Sequence, residues 1–405
     1  MNKFVVIVID SFGVGAMDDV ALVRPEDLGA NTCGNILRRC PTLRLPVLER
    51  LGLINALGGP VNVMNIDSQA NAGCALLRHQ GADSFMGHQE IMGTEPAIPL
   101  REAFSQIITP LVRTLEQHGH QIERLRVGEN QAVLWVDDAV AIGDNLETDC
   151  GLVYNVTADL TRIPFDEVLA IGALVRGVAR VGRVIIFGGT GTSTAQIKAA
   201  ATLRENKYAG IDTPLSGVYR HGFQVVHSGY GVDPSSQVPA CLARLQVPVS
   251  LVGKVADIVA NPGGENLGGI VDSGEIMHLT RKEISRPGPR FICTNIQETD
   301  LAGHAQDVDW YADRLTLVDS YLGHILAQLG HDDMLVVMAD HGNDPTIGHA
   351  RHTREQVPLL VWRSGCHGVN LGIRQTLADV GATVCDAWNA TAPQSGTSFL
   401  PLLVR

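Results

Sequence analysis

The sequence has no cysteine pair in C-x-x-C spacing, although Cys33, Cys40, Cys74, Cys150, Cys241, Cys293, Cys366 and Cys385 are scattered along its 405 residues. A thiolate zinc site or a dithiol redox centre is therefore not expected. Several of these cysteines, Cys293 among them, lie in apolar runs and read as buried thiols. Positive charge is also scarce: 31 Lys and Arg stand against 43 Asp and Glu, a net charge of −12, and no basic cluster occurs. Nothing offsets the repulsion of a polyanion, so nucleic acid is not an expected partner. A small anionic substrate stays compatible, because a metal ion and a few local cations dominate a closed site. No apolar run is long enough to span a bilayer, so no membrane partner is expected. The chain shows no signal-peptide pattern, since Met1-Asn2-Lys3 leads directly into an apolar strand, and a cytoplasmic protein is expected. Internal repeats and low-complexity tracts are missing as well.

What is present is a large apolar fraction, 45% of the residues, in a chain longer than one core usually serves. Two domains are the prior expectation. Short apolar runs alternate with amphipathic stretches near both ends: Phe4–Ile9, Val249–Val252, Phe291–Ile296, Met334–Ala339 and Pro358–Trp362, with a helix over about Val308 to Leu329. This is the pattern of a parallel sheet with crossover helices. The middle, about residues 99 to 223, reads as helix (Phe104–Gln117), strands (Ala132–Val136, Leu152–Thr157), helix (Asp166–Arg180) and strand (Arg183–Phe187). It is expected to be a second α/β domain inserted into the first, with hinges at Pro96 to Pro99 and at His221-Gly222.

Three of the apolar runs end in the same kind of residue. Phe4–Ile9 ends in Asp10. Met334–Ala339 ends in Asp340 and His341, with His352 eleven residues further on. Phe291–Ile296 is followed by Q-E-T-D-L-A-G-H, which carries Asp300 and His304. Taken singly, each has an ordinary explanation: Asp10 as a turn former, Asp300 and His304 as a surface pair one helical turn apart, Asp340-His341 as the opening of a turn. Together they place three Asp and three His beyond the C-terminal ends of strands in one inferred sheet, where ligands bind in such folds. That is enough for two metal ions with three protein ligands each. An oxygen and nitrogen set without thiolate suits Mn²⁺, Mg²⁺ or Zn²⁺, and two such ions can clamp both oxygens of an in-line phosphoryl displacement.

The spacing D…D-x-x-x-H…D-H…H resembles the alkaline phosphatase superfamily, and the wording is closest to the phosphopentomutase family. The similar segments are V-I-D-S-F-G-V-G-A-M, G-H-Q-E-I-M-G, Y-N-V-T-A-D, R-V-G-R-V-I, V-G-K-V-A-D-I, A-D-H-G-N-D-P-T, H-T-R-E-Q-V-P-L-L and L-A-D-V-G-A-T-V. The resemblance implies an α/β fold: an alkaline-phosphatase-like, mostly parallel sheet flanked by helices, formed by residues 1–98 and 224–405, with residues 99–223 as a smaller inserted cap domain. It implies that Asp10, Asp340 and His341 hold one ion and that Asp300, His304 and His352 hold the other, with Mn²⁺ the ion used. It also implies a small phosphorylated substrate of the pentose phosphate kind. Asp159 in T-A-D matches a cap carboxylate, Lys254 in G-K-V-A-D-I a phosphate contact, and Arg220-His221 an R-H pair of the cap. Asp159 as a helix N-cap and Lys254 as a solvated cation are the structural alternatives.

Two departures bear on the reaction. The family carries a phosphorylated Thr in D-T-M-T-G-H, whereas this chain reads Asp83-Ser84-Phe85-Met86-Gly87-His88, with Met86 at the Thr position. A thioether forms no phosphoryl ester. In an extended segment Ser84 would face the same side as Met86, which makes it an alternative nucleophile; capping the following turn is the reading preferred for it. The second departure is a Gly/Thr-rich stretch, Gly188-Gly189-Thr190-Gly191, where the family has A-R-P-F; such a loop can cradle phosphate through backbone N–H groups. Three functions follow: a di-metal phosphosugar mutase, a di-metal hydrolase or phosphotransferase in which water or a substrate hydroxyl replaces Thr, and a catalytically silent metal-binding protein.

Overall fold

In the computed structural model, which describes residues 1–147 and 150–403, the chain divides into two compact units. One comprises Met1–Pro96 and Asp233–Arg405, the other Ala97–Val232. The second unit therefore ends later than the expected 223. The reason is a strand, Gln224–Gly229, that pairs antiparallel with Arg183–Gly189 and closes one edge of that unit's own sheet.

The first unit is built on eight strands: β1 Lys3–Ile9, β2 Asn71–Ala75, β3 Val249–Val252, β4 Glu265–Leu267, β5 Arg290–Ile296, β6 Met334–Met338, β7 Val357–Arg363 and β8 Asn370–Arg374. They are ordered β4-β3-β5-β1-β6-β7-β2-β8, all parallel to their neighbours except β7, which runs antiparallel to β6 and β2. Every residue of β1, K-F-V-V-I-V-I, is buried, as is every residue of β5 and β6. Strands covered on both faces need apolar residues at every position rather than at alternate ones, and this is why these three runs are so conspicuous in the sequence. The polar exceptions are Arg290, Thr294 and Asn295 in β5 and Lys3 in β1, whose ammonium donates to the carbonyls of Arg286 and Gly288. Truncating a central residue, Ile7→Ala for instance, would cost about 2–5 kcal/mol through lost burial and a cavity.

The adjacency β5-β1-β6 and its register fix the functional edge. Ile9 pairs with Ile296, and Val8 with both Asn295 and Met338. The residues that follow these pairs emerge side by side at the C-terminal edge of the three central strands.

The second unit has a six-stranded sheet ordered Gln224–Gly229, Arg183–Gly189, Val153–Asp159, Val140–Asp144, Ala132–Val136, Ile122–Arg126, plus a hairpin of Ala201–Arg204 with Tyr208–Ile211. Helices Ile108–Gln117 and Phe165–Val178 pack with this sheet into a separate apolar cluster around Leu134, Tyr154 and Ile171. Among the described residues no helix is long and apolar enough to cross a membrane.

Candidate metal centre

Asp10 and Asp340-His341 leave the ends of adjacent strands and meet at once. The Asp10 amide continues the β1 ladder onto the Ile296 carbonyl at 3.2 Å. The next residue, Ser11, adopts a left-handed conformation (φ 67°), unusual for a residue with a side chain. In it, Ser11 N donates to Asp340 Oδ1 at 3.1 Å and Ser11 Oγ lies 3.1 Å from the Tyr311 hydroxyl. His341 Nε2 lies 3.5 Å from Asp10 Oδ1 and 3.3 Å from Asp340 Oδ2. All three residues are completely buried.

A second group adjoins the first. Asp300 and His304 sit four apart on the helix Glu298–His304, with His304 Nε2 3.4 Å from Asp300 Oδ1. His352, from the loop after β6, brings its Nε2 to 3.1 Å from the same oxygen and 3.0 Å from His304 Nε2. Ligand atoms of Asp300, His341 and His352 also lie within 4.8 Å of one another, as do those of Asp10, Asp340 and His341. His341 thus stands between the groups, its ring stacked on that of His352 with centroids 3.9 Å apart.

The histidines are turned for ligation. Each has Nδ1 at a backbone carbonyl: His341 at Gly342 (2.9 Å), His352 at Ala82 (2.8 Å) and His304 at Ala350 (2.6 Å). A proton on Nδ1 satisfies that carbonyl and leaves Nε2 as a bare lone pair facing the carboxylates, the outer-shell pattern of metal-binding histidines. A cation suits the set. Asp10 Oδ1 and His341 Nε2 are buried without a hydrogen-bond partner, and an ion between them would satisfy both. Burial, aided by the charge of Asp340, pushes the Asp10 carboxyl up to about 7, the mark of too many carboxylates for the protein's own cations. Burial holds His341 down to about 3, so it stays neutral as a ligand must. Asp300 goes the other way. Burial alone would raise it, but when His304 and His352 are protonated and no ion is bound, their Nε2–H groups donate to it and, with the nearby Lys254 ammonium, keep it well below the usual carboxylate range.

Lys254 reaches into this centre. Its Nζ lies 2.9 Å from Asp10 Oδ2 and 3.4 Å from Asp300 Oδ2. Burial opposes its charge, yet Asp10, Asp300 and Asp340 together hold the ammonium well above its ordinary value. It is an ion-paired cation within the centre, not a solvated one.

The segment around Met86 is not extended. Ser84–Ile91 is a helix whose N-cap is Asp83, accepting from Met86 N at 2.8 Å; Ser84 is not the cap. At about 100° per residue, positions 84 and 86 point about 200° apart, so Ser84 and Met86 do not share a face. Gly87 brings the helix against the centre: a Cβ there would lie 2.8 Å from the Asp340 carbonyl oxygen. Ser84 is buried and donates to Asp340 Oδ2 at 2.9 Å, while Met86 is half-buried.

The second-unit residues are occupied otherwise. Asp159 ends a strand and accepts four hydrogen bonds, from Thr161 N and Oγ1 (3.0 and 2.6 Å) and from Thr194 N and Oγ1 (2.8 and 3.2 Å). Burial would raise its carboxyl, but these bonds outweigh it and lower it. It fastens a turn to the start of the helix Thr194–Ala199. Arg220 is exposed. The Gly/Thr-rich loop offers no free cradle at its tip, because Thr190 N and Gly191 N both donate to the His221 carbonyl.

Residues to which the sequence reading gave no role complete the centre. Glu355 is buried and collects Thr32 Oγ1 (2.6 Å), Thr353 Oγ1 (2.7 Å), Thr32 N (2.9 Å) and Gly15 N (3.1 Å). Burial raises it to about 7 despite these bonds. It pins the loop after β1 to the loop after β6, and Cβ atoms on Gly13 or Gly342 would collide with it. Asn343 Nδ2 lies 3.4 Å from Asp300 Oδ1, and Asn295 Nδ2 lies 3.0 Å from Asp10 Oδ2. The one signal in the sequence for Asn295 was a polar side chain just inside an apolar strand.

The fold and donor set define a metalloenzyme, and the Metalloenzyme superfamily model matches residues 2–392. Phosphopentomutase of Symbiobacterium thermophilum is 31% identical over 98% of both chains, and that of Desulfitobacterium hafniense is 31% identical over the full length of both. Among solved structures, Leishmania mexicana phosphoglycerate mutase, 12% identical, covers 98% of this chain and 97% of its own with a TM-score of 0.48. The chain belongs to the phosphopentomutase family of metal-dependent enzymes, with the alkaline-phosphatase-like fold of that superfamily.

Proposed function

We propose that this protein is a two-metal phosphoryl-transfer enzyme acting on a small sugar phosphate, a pentose phosphate being the class suggested by the name its relatives carry. The observation that carries the reading is the pair of adjoining donor groups, with the orphaned Asp10 Oδ1 and His341 Nε2 facing each other. Asp10, Asp340 and His341 would hold one ion; Asp300, His304 and His352 the other, with Mn²⁺ favoured over Mg²⁺ and Zn²⁺ on family resemblance and an all-oxygen-and-nitrogen set compatible with it. When bound, such ions neutralise charge on the phosphoryl oxygens in an in-line displacement. Lys254, already paired with a carboxylate from each group, is placed to share its charge with a substrate phosphate once divalent cations take over those carboxylates.

The side chain at position 86 cannot accept a phosphoryl group. Transfer to water or to a substrate hydroxyl is therefore favoured over a Thr-type phosphoenzyme, which makes a hydrolase or phosphotransferase the second reading. Ser84 is the nearest alternative acceptor. Its hydroxyl is at the centre, but it is buried and donates to Asp340, an arrangement better suited to steering that carboxylate than to attacking phosphorus.

Metal analysis with intact mass, followed by assays on bisphosphate-primed ribose 1-phosphate and on a panel of phosphate esters, tests the proposal. Two divalent ions per chain, turnover that needs them, and no stable phosphoryl adduct are expected. Met86→Thr tests position 86 directly: a phosphorylated residue and mutase turnover gained on this change would make the scaffold a mutase with its acceptor removed. A purified protein that holds no metal in excess Mn²⁺ would sink the reading. Robust mutase turnover through phosphorylated Ser84 would overturn the preference against a phosphoenzyme.

A further inference from the structure

One buried imidazole in the centre belongs to neither donor group. His88 lies on the helix Ser84–Ile91 and is completely buried. Its Nδ1 is 2.8 Å from the Ser84 carbonyl oxygen and 3.3 Å from Asp340 Oδ2. Its Nε2 is 3.0 Å from Asn295 Nδ2, and the same amide nitrogen is 3.0 Å from Asp10 Oδ2. The carboxylate fixes the amide: Asn295 must turn its NH₂, not its oxygen, toward Asp10. The second amide hydrogen then meets His88 Nε2, which accepts, and the ring proton sits on Nδ1, where it serves the Ser84 carbonyl and Asp340. A closed chain results, Asp10–Asn295–His88–Asp340, linking the two carboxylates of the deeper donor group through a helix and a neighbouring strand.

We propose that His88 is a positioning residue for the first metal ion: through Asn295 on one side and Asp340 on the other, it holds the two carboxylates at the separation the ion requires. The proposal rests on the two-metal reading above. Nothing in this arrangement brings His88 to a substrate. Its effect is confined to ligand orientation, and it distinguishes the two ions, because no hydrogen bond or ion pair of His88 reaches His304 or His352 among the described residues.

Mn²⁺ titrated into metal-stripped protein, with free Mn²⁺ followed by electron paramagnetic resonance, reads each site separately. Wild type should show two sites. His88→Ala should weaken one of them by about 10- to 100-fold, the usual penalty for losing an outer-shell partner, and leave the other unchanged. In a His304→Ala background the site that remains should be the one that His88→Ala weakens. His88→Asn keeps a donor near the Nδ1 position but loses the link to Asn295, and should give an affinity between those of wild type and His88→Ala, which a merely space-filling role would not permit. Circular dichroism of the metal-free variants checks folding. Should His88→Ala fail to fold, Asn295→Leu, which breaks the same chain from the other side, should give the same selective weakening. Unchanged Mn²⁺ binding in folded His88→Ala or Asn295→Leu overturns the proposal, and so does equal weakening of both sites. A wild type that binds no Mn²⁺ at all brings down the two-metal reading and this proposal with it, an outcome distinct from the other two.

Discussion

The two donor groups lie side by side but are made of different material. Asp10, Asp340 and His341 leave the ends of β1 and β6, central strands of the sheet, and are wholly buried. Outer donors hold them in place: Ser11 N and Ser84 Oγ on Asp340, Asn295 and Lys254 on Asp10. In the other group, Asp300 and His304 come from a seven-residue helix and His352 from a loop. The side chains of His304 and His352 are 42% and 21% exposed. The first group is therefore preorganised by the sheet itself, whereas the second is carried on a short helix and a loop and is partly open to solvent. An ion in the first group should be resident and slow to leave. An ion in the second should exchange with solvent and meet the substrate.

The harshest test of this difference is Asp340→Asn. It should remove the first ion and take activity down by on the order of 10³-fold or more, the equivalent of several kcal/mol of charge stabilisation. Metal content by mass spectrometry and kcat on the best ester report both effects. If Asp340→Asn retains two ions, the first group is not a ligand set.

His304→Ala should be milder and selective. The second ion is lost, the first stays, and activity falls by about 100-fold. Loss of both ions would mean that the two groups are one cooperative site and the contrast is false.

Stability sharpens the same contrast. A ligand at 100 times its dissociation constant stabilises the native state by about 2.7 kcal/mol. Chelation should lower the unfolding temperature of the wild type by several degrees, the first ion contributing most because it ties the β1 and β6 strand ends together. In calorimetry, His304→Ala should keep most of that shift and Asp340→Asn should lose it.

The gentlest probe is pH. A metal ion must displace any proton its ligands carry. Asp300 raises both His304 and His352 above their ordinary value, His304 mainly through its hydrogen bond and His352 against the opposing effect of burial. Below those raised values each binds a proton that the ion must expel. In the first group, His341 stays bare to about pH 3 and only Asp10, at about 7, competes. As pH falls below those raised values, affinity at the second site should drop with a slope near two protons per ion, against about one at the first. Equal slopes would remove the electrostatic part of the distinction.

How much of this could be read from the sequence depended on how local its cause was. The runs F-V-V-I-V-I and M-L-V-V-M announce themselves because strands buried on both faces tolerate little else. β2, Asn-Ala-Gly-Cys-Ala, has almost no intrinsic strand preference. It is a strand because β7 and β8 offer it partners, with Ala72 opposite Leu360, and nothing within five residues could reveal that. Gln224–Gly229 was missed in the same way, and the second unit's limit with it. The helix over Ser84–Ile91 was not legible because Gly87 and His88 are weak helix formers; the Asp83 cap and packing against Asp340 decide it.

The sequence by itself determined which side chains are available at the metal edge and that they stand at strand ends, because an apolar run that stops at Asp or His is a purely local pattern. Only the tertiary structure decided how those side chains are shared. It set His341 between the groups, turned each Nε2 inward by engaging Nδ1 with a backbone carbonyl, drew Lys254 onto Asp10 and Asp300, and brought His88 against Asp340. Apart from His341, whose Nδ1 meets the next residue's carbonyl and whose ring stacks on His352 eleven positions on, these depend on groups tens to hundreds of residues apart meeting within hydrogen-bond reach. Distance along the chain carries no record of such meetings; the register of β5, β1 and β6 does.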